Sequence, residues 1–260
     1  MAEYRIVDDK NIIRAFAQNL FLGLNVYSTY SNLLENHFTT MSNKELTFIF
    51  DMNGTIIDDM HFHTKAWHKL FNEDLGATIS WDDVKLEMYG KNPEVLDRVF
   101  GKGYFSKNEA AKWSMEKERR YQEEYLPHLA LIQGLDTFFE KAQAAGIRMA
   151  IGSAAIPYNV DFVLDNLDIR KYFSTIITAD DVKVSKPHPE TFQLGAEALG
   201  VEPEDCIVFE DAPKGVEAAQ NAGMKAVVLT TAHPKEDFEQ YHNILAFIED
   251  YEDPFIKDLI

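Results

Sequence analysis

From residue 46 onward, short apolar runs alternate with amphipathic stretches of helical period, and this alternation constrains the fold more than any other feature of the chain. Residues 46–50, 147–151, 175–178, 206–209 and 226–229 are rich in apolar and β-branched side chains and read as strands buried on both faces. Between them, residues 135–145, 159–167, 190–199 and 214–222 carry helical patterns. Parallel strands need a crossover between them, usually a helix, so this order predicts an α/β core. A Rossmann-like parallel sheet with helices on both faces is expected. Gly146, Gly200 and Gly223 each fall just past a predicted helix, where a left-handed residue is wanted.

Residues 58–132 break the rhythm with helical segments and no convincing strand. Segments 61–75, 81–88, 93–100 and 107–126 are expected to form a small helical cap domain, inserted directly after the first strand. Open parallel sheets bind ligands at the carboxyl edge of their strands, so an insertion there is placed to act as a lid. The expected division is a core of residues 43–57 and 133–260, a cap of 58–132 and a helical N-terminal extension of 1–42.

With 25 basic and 43 acidic residues the formal charge is −18, which excludes broad binding to nucleic acid or an anionic membrane by repulsion. A small anionic ligand stays compatible, because local cations and a bound divalent ion can supply the missing charge. One cysteine, Cys206, sits in an apolar run and leaves no intramolecular disulfide. The apolar piece at 16–26 is interrupted by Gln18, Asn19 and Asn25, and lacks a clean cleavage site. A cytoplasmic monomer is expected.

Candidate chemistry collects at predicted strand ends. The first strand runs into Phe50-Asp51-Met52-Asn53-Gly54-Thr55. Asn-Gly is a strong hairpin signal, but a hairpin needs a second alternating strand, and a helix follows instead. An aspartate beside a glycine turn with exposed amides suits nucleophilic attack on phosphorus. The second strand ends in Gly152-Ser153-Ala154, which offers a hydroxyl and amides for an anion or, equally, an ordinary helix cap. Lys186 lies on a loop stiffened by Pro187 and Pro189; a solvated lysine would read the same way. Glu210 and Asp211 end the fourth strand before a helix, as helix caps or as ligands for a hard cation such as magnesium. Each is weak alone. In a parallel sheet, however, groups that follow separate strands at one edge converge on one pocket.

Together these motifs, FDMNGT, GSAA, SKPHPE and FEDAPKGVEAAQNAG, resemble those of the haloacid dehalogenase superfamily over residues 46 to about 230. The resemblance implies that Asp51 attacks phosphorus to give an aspartyl phosphate. Ser153, with the amides of Met52 and Ala154, would hold the phosphoryl group, and Lys186 would neutralise nucleophile and phosphate. Mg²⁺ would be held by Asp51, the backbone carbonyl of Asn53, Glu210 and Asp211. Within the superfamily the sequence looks like β-phosphoglucomutase and related sugar phosphatases. On that likeness His63 and Lys117 are substrate contacts. The arginine with which the mutase grips a distal phosphate is missing from the turn 89–93, where Lys91 is the substitute.

Asn53 is the main departure, since the family has an aspartate there to protonate the leaving alkoxide and then activate the incoming nucleophile. A carboxamide exchanges no proton, and losing general acid–base catalysis costs about 10²- to 10⁴-fold. Three situations fit: an engineered trap, a substrate whose leaving group needs little protonation, or Asp58 or Asp59 taking over the proton. The expected function is a Mg²⁺-dependent phosphatase for a small phosphorylated metabolite, with a phosphohexomutase and a silent phospho-ligand binder as alternatives.

Overall fold

In a computed structural model, residues 46–260 are described, and the extension expected over residues 1–42 lies outside them. Six strands, β1 (Thr47–Phe50), β2 (Arg148–Gly152), β3 (Thr175–Ile177), β4 (Cys206–Glu210), β5 (Lys225–Leu229) and β6 (Ile244–Ile248), form one sheet of order β3-β2-β1-β4-β5-β6. Every pairing is parallel; Phe50 at the end of β1 lies between Ile151 and Phe209. The chain reverses its direction of travel across the sheet between β1 and β4. That is the switch point where such sheets open a crevice for ligands.

Side chains alternate across the pleat and create two cores. On one face Phe48, Phe50 and Phe209 meet Phe138 and Phe139 of α5 (Leu135–Ala144), with Phe50 stacked on Phe209 at 4.6 Å. On the other, Ile49, Ala150, Val208 and Val228 pack with Phe192 of α7 (Glu190–Leu199) and Val216 of α8 (Pro213–Asn221). The core also holds α6 (Pro157–Asn166) and a short helical turn at Pro254–Lys257. Gly146, Gly200 and Gly223 all adopt positive φ, as the helix-stop reading requires. Sequence patterning missed β6, an edge strand whose first four residues are only half-buried and so lack a doubly buried signature.

The insertion is mainly helical: α1 (Met60–Lys69), continued by a π-helical turn at Leu70–Asp74, then α2 (Trp81–Glu87), α3 (Asn92–Phe100) and α4 (Lys107–Tyr125). Ser80 accepts from the Asp83 amide to cap α2, and Ser106 with Glu109 forms a capping box at α4. Its own apolar centre is Trp67, Leu70, Phe71, Val84, Val95 and Leu96. Residues Leu46–Ile260 make one compact unit, so insertion and sheet are packed together. No helix among the described residues is long and apolar enough to cross a membrane.

Candidate active site

Asp51 leaves β1 into a tight turn rather than a hairpin. Gly54 stands at φ +77°, its N–H donates to the Ile57 carbonyl at 2.7 Å, and Asn53 and Ile57 form an isolated bridge. A Cβ at Gly54 would lie 2.1 Å from Oδ2 of Asp211, so only glycine allows the turn and the β4 acid to close on each other.

Four polar groups from separate strand ends meet here. The Lys186 Nζ donates to Oδ1 of Asp51 at 2.7 Å and to Oε1 of Glu210 at 2.8 Å. It also sits 4.5 Å over the Phe192 ring. Oε2 of Glu210 accepts from the amides of Asp211 (2.9 Å) and Ala212 (2.8 Å). Gly215 makes this possible, because a Cβ there would fall 1.6 Å from Oε1 of Glu210. Asp51, Glu210 and Asp211 are all buried, and Lys186 is the ammonium that faces them. Burial raises the Asp51 carboxyl to about 7, with Lys186 pulling it down and Glu210 pushing it up. Asp211 is held well above the usual carboxylate range by burial, then by Glu210 and Asp51. Burial works against the Lys186 ammonium, yet Asp51 and Glu210 outweigh it and raise its pKa.

Once all are ionised, three acids around one lysine leave two excess negative charges, the charge a divalent cation carries, and without that ion burial holds protons on Asp51 and Asp211 instead. The donors are hard oxygens, as magnesium prefers. Glu210 gives Oε1 to Lys186 and Oε2 to two amides, and Asp51 and Asp211 add their carboxylates beside the Asn53 turn. Among the described residues no three His, Cys, Asp or Glu side chains converge as a closed metal cage. Magnesium needs none, since it is held by one or two carboxylates, water and substrate phosphate.

These groups line a cavity of about 800 Å³ between the sheet edge and the helical insertion, together with Asn53, Asp58, His63, Lys91, Lys117 and Ala154. The predicted residues differ in what they present to it. Ser153 is fully buried and its Oγ accepts from the Ala155 amide at 3.1 Å. The Met52 side chain is in the core, leaving only its backbone near Asp51. Lys91 donates its Nζ to the Val182 carbonyl at 2.7 Å and so ties the insertion to the core. Arg98 covers the Tyr89 ring and donates to the carbonyls of Glu87 and Tyr89.

Sequence reasoning missed a buried polar network around His63. The Asn53 Nδ2 donates to Oδ2 of Asp59 at 2.6 Å and lies 3.0 Å from Nε2 of His63. Asp59 also accepts from the Tyr121 hydroxyl, and the His63 ring stacks on Tyr121 at 3.8 Å. Lys117 contacts Nδ1 of His63 at 2.6 Å and pairs with Glu118 at 3.0 Å. Glu118 in turn accepts from Asn92 and from Asn159 of α6. Oδ2 of Asp59 is the shared acceptor of this network, while its buried Oδ1 has no partner among the described residues. The one available signal was the pairing of Lys117, Glu118 and Tyr121 on a helix otherwise patterned for solvent.

The family described as haloacid dehalogenase-like hydrolase matches residues 46–223. A fructose-1-phosphate phosphatase of Escherichia coli is 33% identical over 194 residues, covering 69% of this chain and 93% of that protein. A phosphorylated carbohydrates phosphatase of Thermotoga maritima is 30% identical over 188 residues, covering 69% and 82%. The crystal structure of β-phosphoglucomutase from Clostridium difficile superposes with a TM-score of 0.72 at 27% identity, covering 82% of this chain and 94% of that one. Parallel sheet, strand-end constellation and sequence agree, and the chain belongs to the haloacid dehalogenase-like hydrolases.

Proposed function

We propose that the chain is a magnesium-dependent phosphatase of a small phosphorylated metabolite, in the first place a sugar monophosphate, working through an aspartyl phosphate on Asp51. The observation that carries this reading is the Lys186 ammonium shared between Asp51 and Glu210 at the sheet's switch point. The relatives named for fructose 1-phosphate and phosphorylated carbohydrates support the substrate class.

Asp51 is the nucleophile because its carboxylate stands at the strand end facing the cavity, with its charge steadied by Lys186. Lys186 also offsets the negative charge of the incoming phosphoryl group. Asp51, Asp211 and the Asn53 carbonyl would hold the magnesium ion, which supplies positive charge to the phosphoryl oxygens. Glu210 fixes Lys186, and the amides of Met52 and Ala154 receive phosphoryl oxygens. His63 and Lys117, carried on α1 and α4 of the insertion, bound the leaving-group side. Asn53 donates a hydrogen bond but releases no proton, so turnover is slow compared with an aspartate at that position.

A panel of phosphorylated metabolites, assayed with and without Mg²⁺, tests the proposal. Metal-dependent phosphate release from a sugar monophosphate supports it; conversion of a hexose 1-phosphate to the 6-phosphate makes the protein a mutase. Metal-dependent binding with no turnover at any concentration makes it a phospho-ligand binder.

A further inference from the structure

We propose that Asp58 is the general acid and base of the reaction, an assignment that rests on the phosphatase reading above. Two acids follow the catalytic turn, and the structure separates them. Asp59 is fully buried and does not line the cavity; its Oδ2 is occupied by Asn53, Tyr121 and, at 3.3 Å, His63. It is a structural hub with no path to a leaving group. Asp58 lines the cavity with Asp51, Asn53 and Lys186, and its carboxylate makes no hydrogen bond or ion pair among the described residues.

Its backbone is pinned against the nucleophile turn. Ile57, the preceding residue, bridges to Asn53 on one side and Leu131 on the other, and its carbonyl accepts from Gly54 at 2.7 Å. Asp58 therefore emerges one residue from a point fixed beside Asn53. The charged and titratable groups around it are Asp59, His61 and Tyr125. Burial and then Asp59 raise its pKa, with His61 opposing.

The proton balance closes. As an oxygen of Asp51 bonds to phosphorus and the bond from phosphorus to the leaving oxygen breaks, the Asp58 carboxylic acid gives its proton to that alkoxide. The Asp58 carboxylate then takes a proton from water while the water oxygen bonds to phosphorus. The bond between phosphorus and Asp51 breaks, returning the Asp51 carboxylate and inorganic phosphate. The competing reading is a solvated hinge carboxylate with no part in turnover.

The test uses the full chain with Mg²⁺ and two substrates: fructose 1-phosphate, whose alkoxide needs a proton, and p-nitrophenyl phosphate, whose phenolate does not. Asp58→Asn is made in the native background and in the Asn53→Asp background. We expect it to lower kcat for the sugar phosphate about 100-fold in the native chain, while the nitrophenolate burst changes by less than about threefold. In the Asn53→Asp background, where a second acid is present, the loss shrinks to less than about tenfold. An equal loss on both substrates and in both backgrounds, or a loss below about threefold in the native chain, overturns the assignment. A native chain that turns over neither substrate removes the phosphatase reading itself, and the role of Asp58 with it.

Discussion

Asn53 points its amide nitrogen at Oδ2 of Asp59, 2.6 Å away, so position 53 faces an acceptor and must present a donor. An aspartate introduced there would confront a buried carboxylate at hydrogen-bonding distance and would be kept protonated, because two like charges so close cannot both ionise. Asn53 thus has the shape and hydrogen bonding of a protonated aspartic acid without the exchangeable proton. Asn53→Asp is expected to raise sugar-phosphate turnover at least about tenfold with Mg²⁺ present. Steady-state phosphate release checks this, and an unchanged rate contradicts the role given to position 53.

Removing Lys186 leaves Asp51, Glu210 and Asp211 buried without their cation. Breaking a buried pair from one side costs about 3–5 kcal/mol, far more than a surface ion pair is worth. Lys186→Met is expected to abolish turnover and to lower stability in EDTA by that order. Denaturant melts should show part of the loss recovered by Mg²⁺, since the ion replaces some of the missing positive charge.

Gly215 is a packing requirement of the Glu210 carboxylate. A methyl group there would occupy the place of Oε1 of Glu210, and that oxygen is the one holding Lys186. Gly215→Ala is expected to cost about 1–3 kcal/mol by overpacking. It should also reduce kcat by an order of magnitude or so, through displacement of Lys186. Wild-type turnover in a folded Gly215→Ala protein counts against the Glu210 to Lys186 link.

Stability of the metal-free chain should fall as pH rises through the weakly acidic range. Asp51, raised from 3.8 to about 7 by burial, keeps its proton in the folded state after the unfolded chain has released it. The native state therefore binds more protons between those values, and stability declines with increasing pH across that window. Asp211 is shifted the same way. Carboxylates with lowered pKa, such as Glu116 and Glu124, act in the opposite sense but at lower pH. Thermal melts in EDTA between about pH 5 and pH 8 should show a falling Tm, and Mg²⁺ should raise Tm most at the upper end. A Tm in EDTA that rises over that range contradicts the proton count.

Much of the fold and the strand-end constellation was legible in the sequence, for physical reasons. Strands such as β1 and β4 are buried on both faces, so their runs are continuously apolar and their ends mark the sheet edge. Asp51, Lys186, Glu210 and Asp211 each stand where such a run gives way to a turn, and parallel topology brings them together. Strand β6 escaped notice because an edge strand is only partly buried. The network of Asp59, His63, Lys117, Glu118 and Tyr121 was opaque for a different reason. It is built from side chains of α1, α4 and α6, and from the turn after β1, whose approach depends on how the insertion packs on the core. Lys91 shows the same limit: its place in the turn 89–93 suggests a phosphate contact, and only the packing shows its Nζ on the Val182 carbonyl at the cavity wall.

The account depends most directly on Asp51 taking up the phosphoryl group. Acid-quenched single turnover of a sugar phosphate labelled on phosphorus, followed by peptide mapping, reads this out. Label confined to the peptide that contains Asp51, and lost in Asp51→Asn, is the predicted result. Phosphate released at full rate by Asp51→Asn, or label carried on another residue, would contradict it.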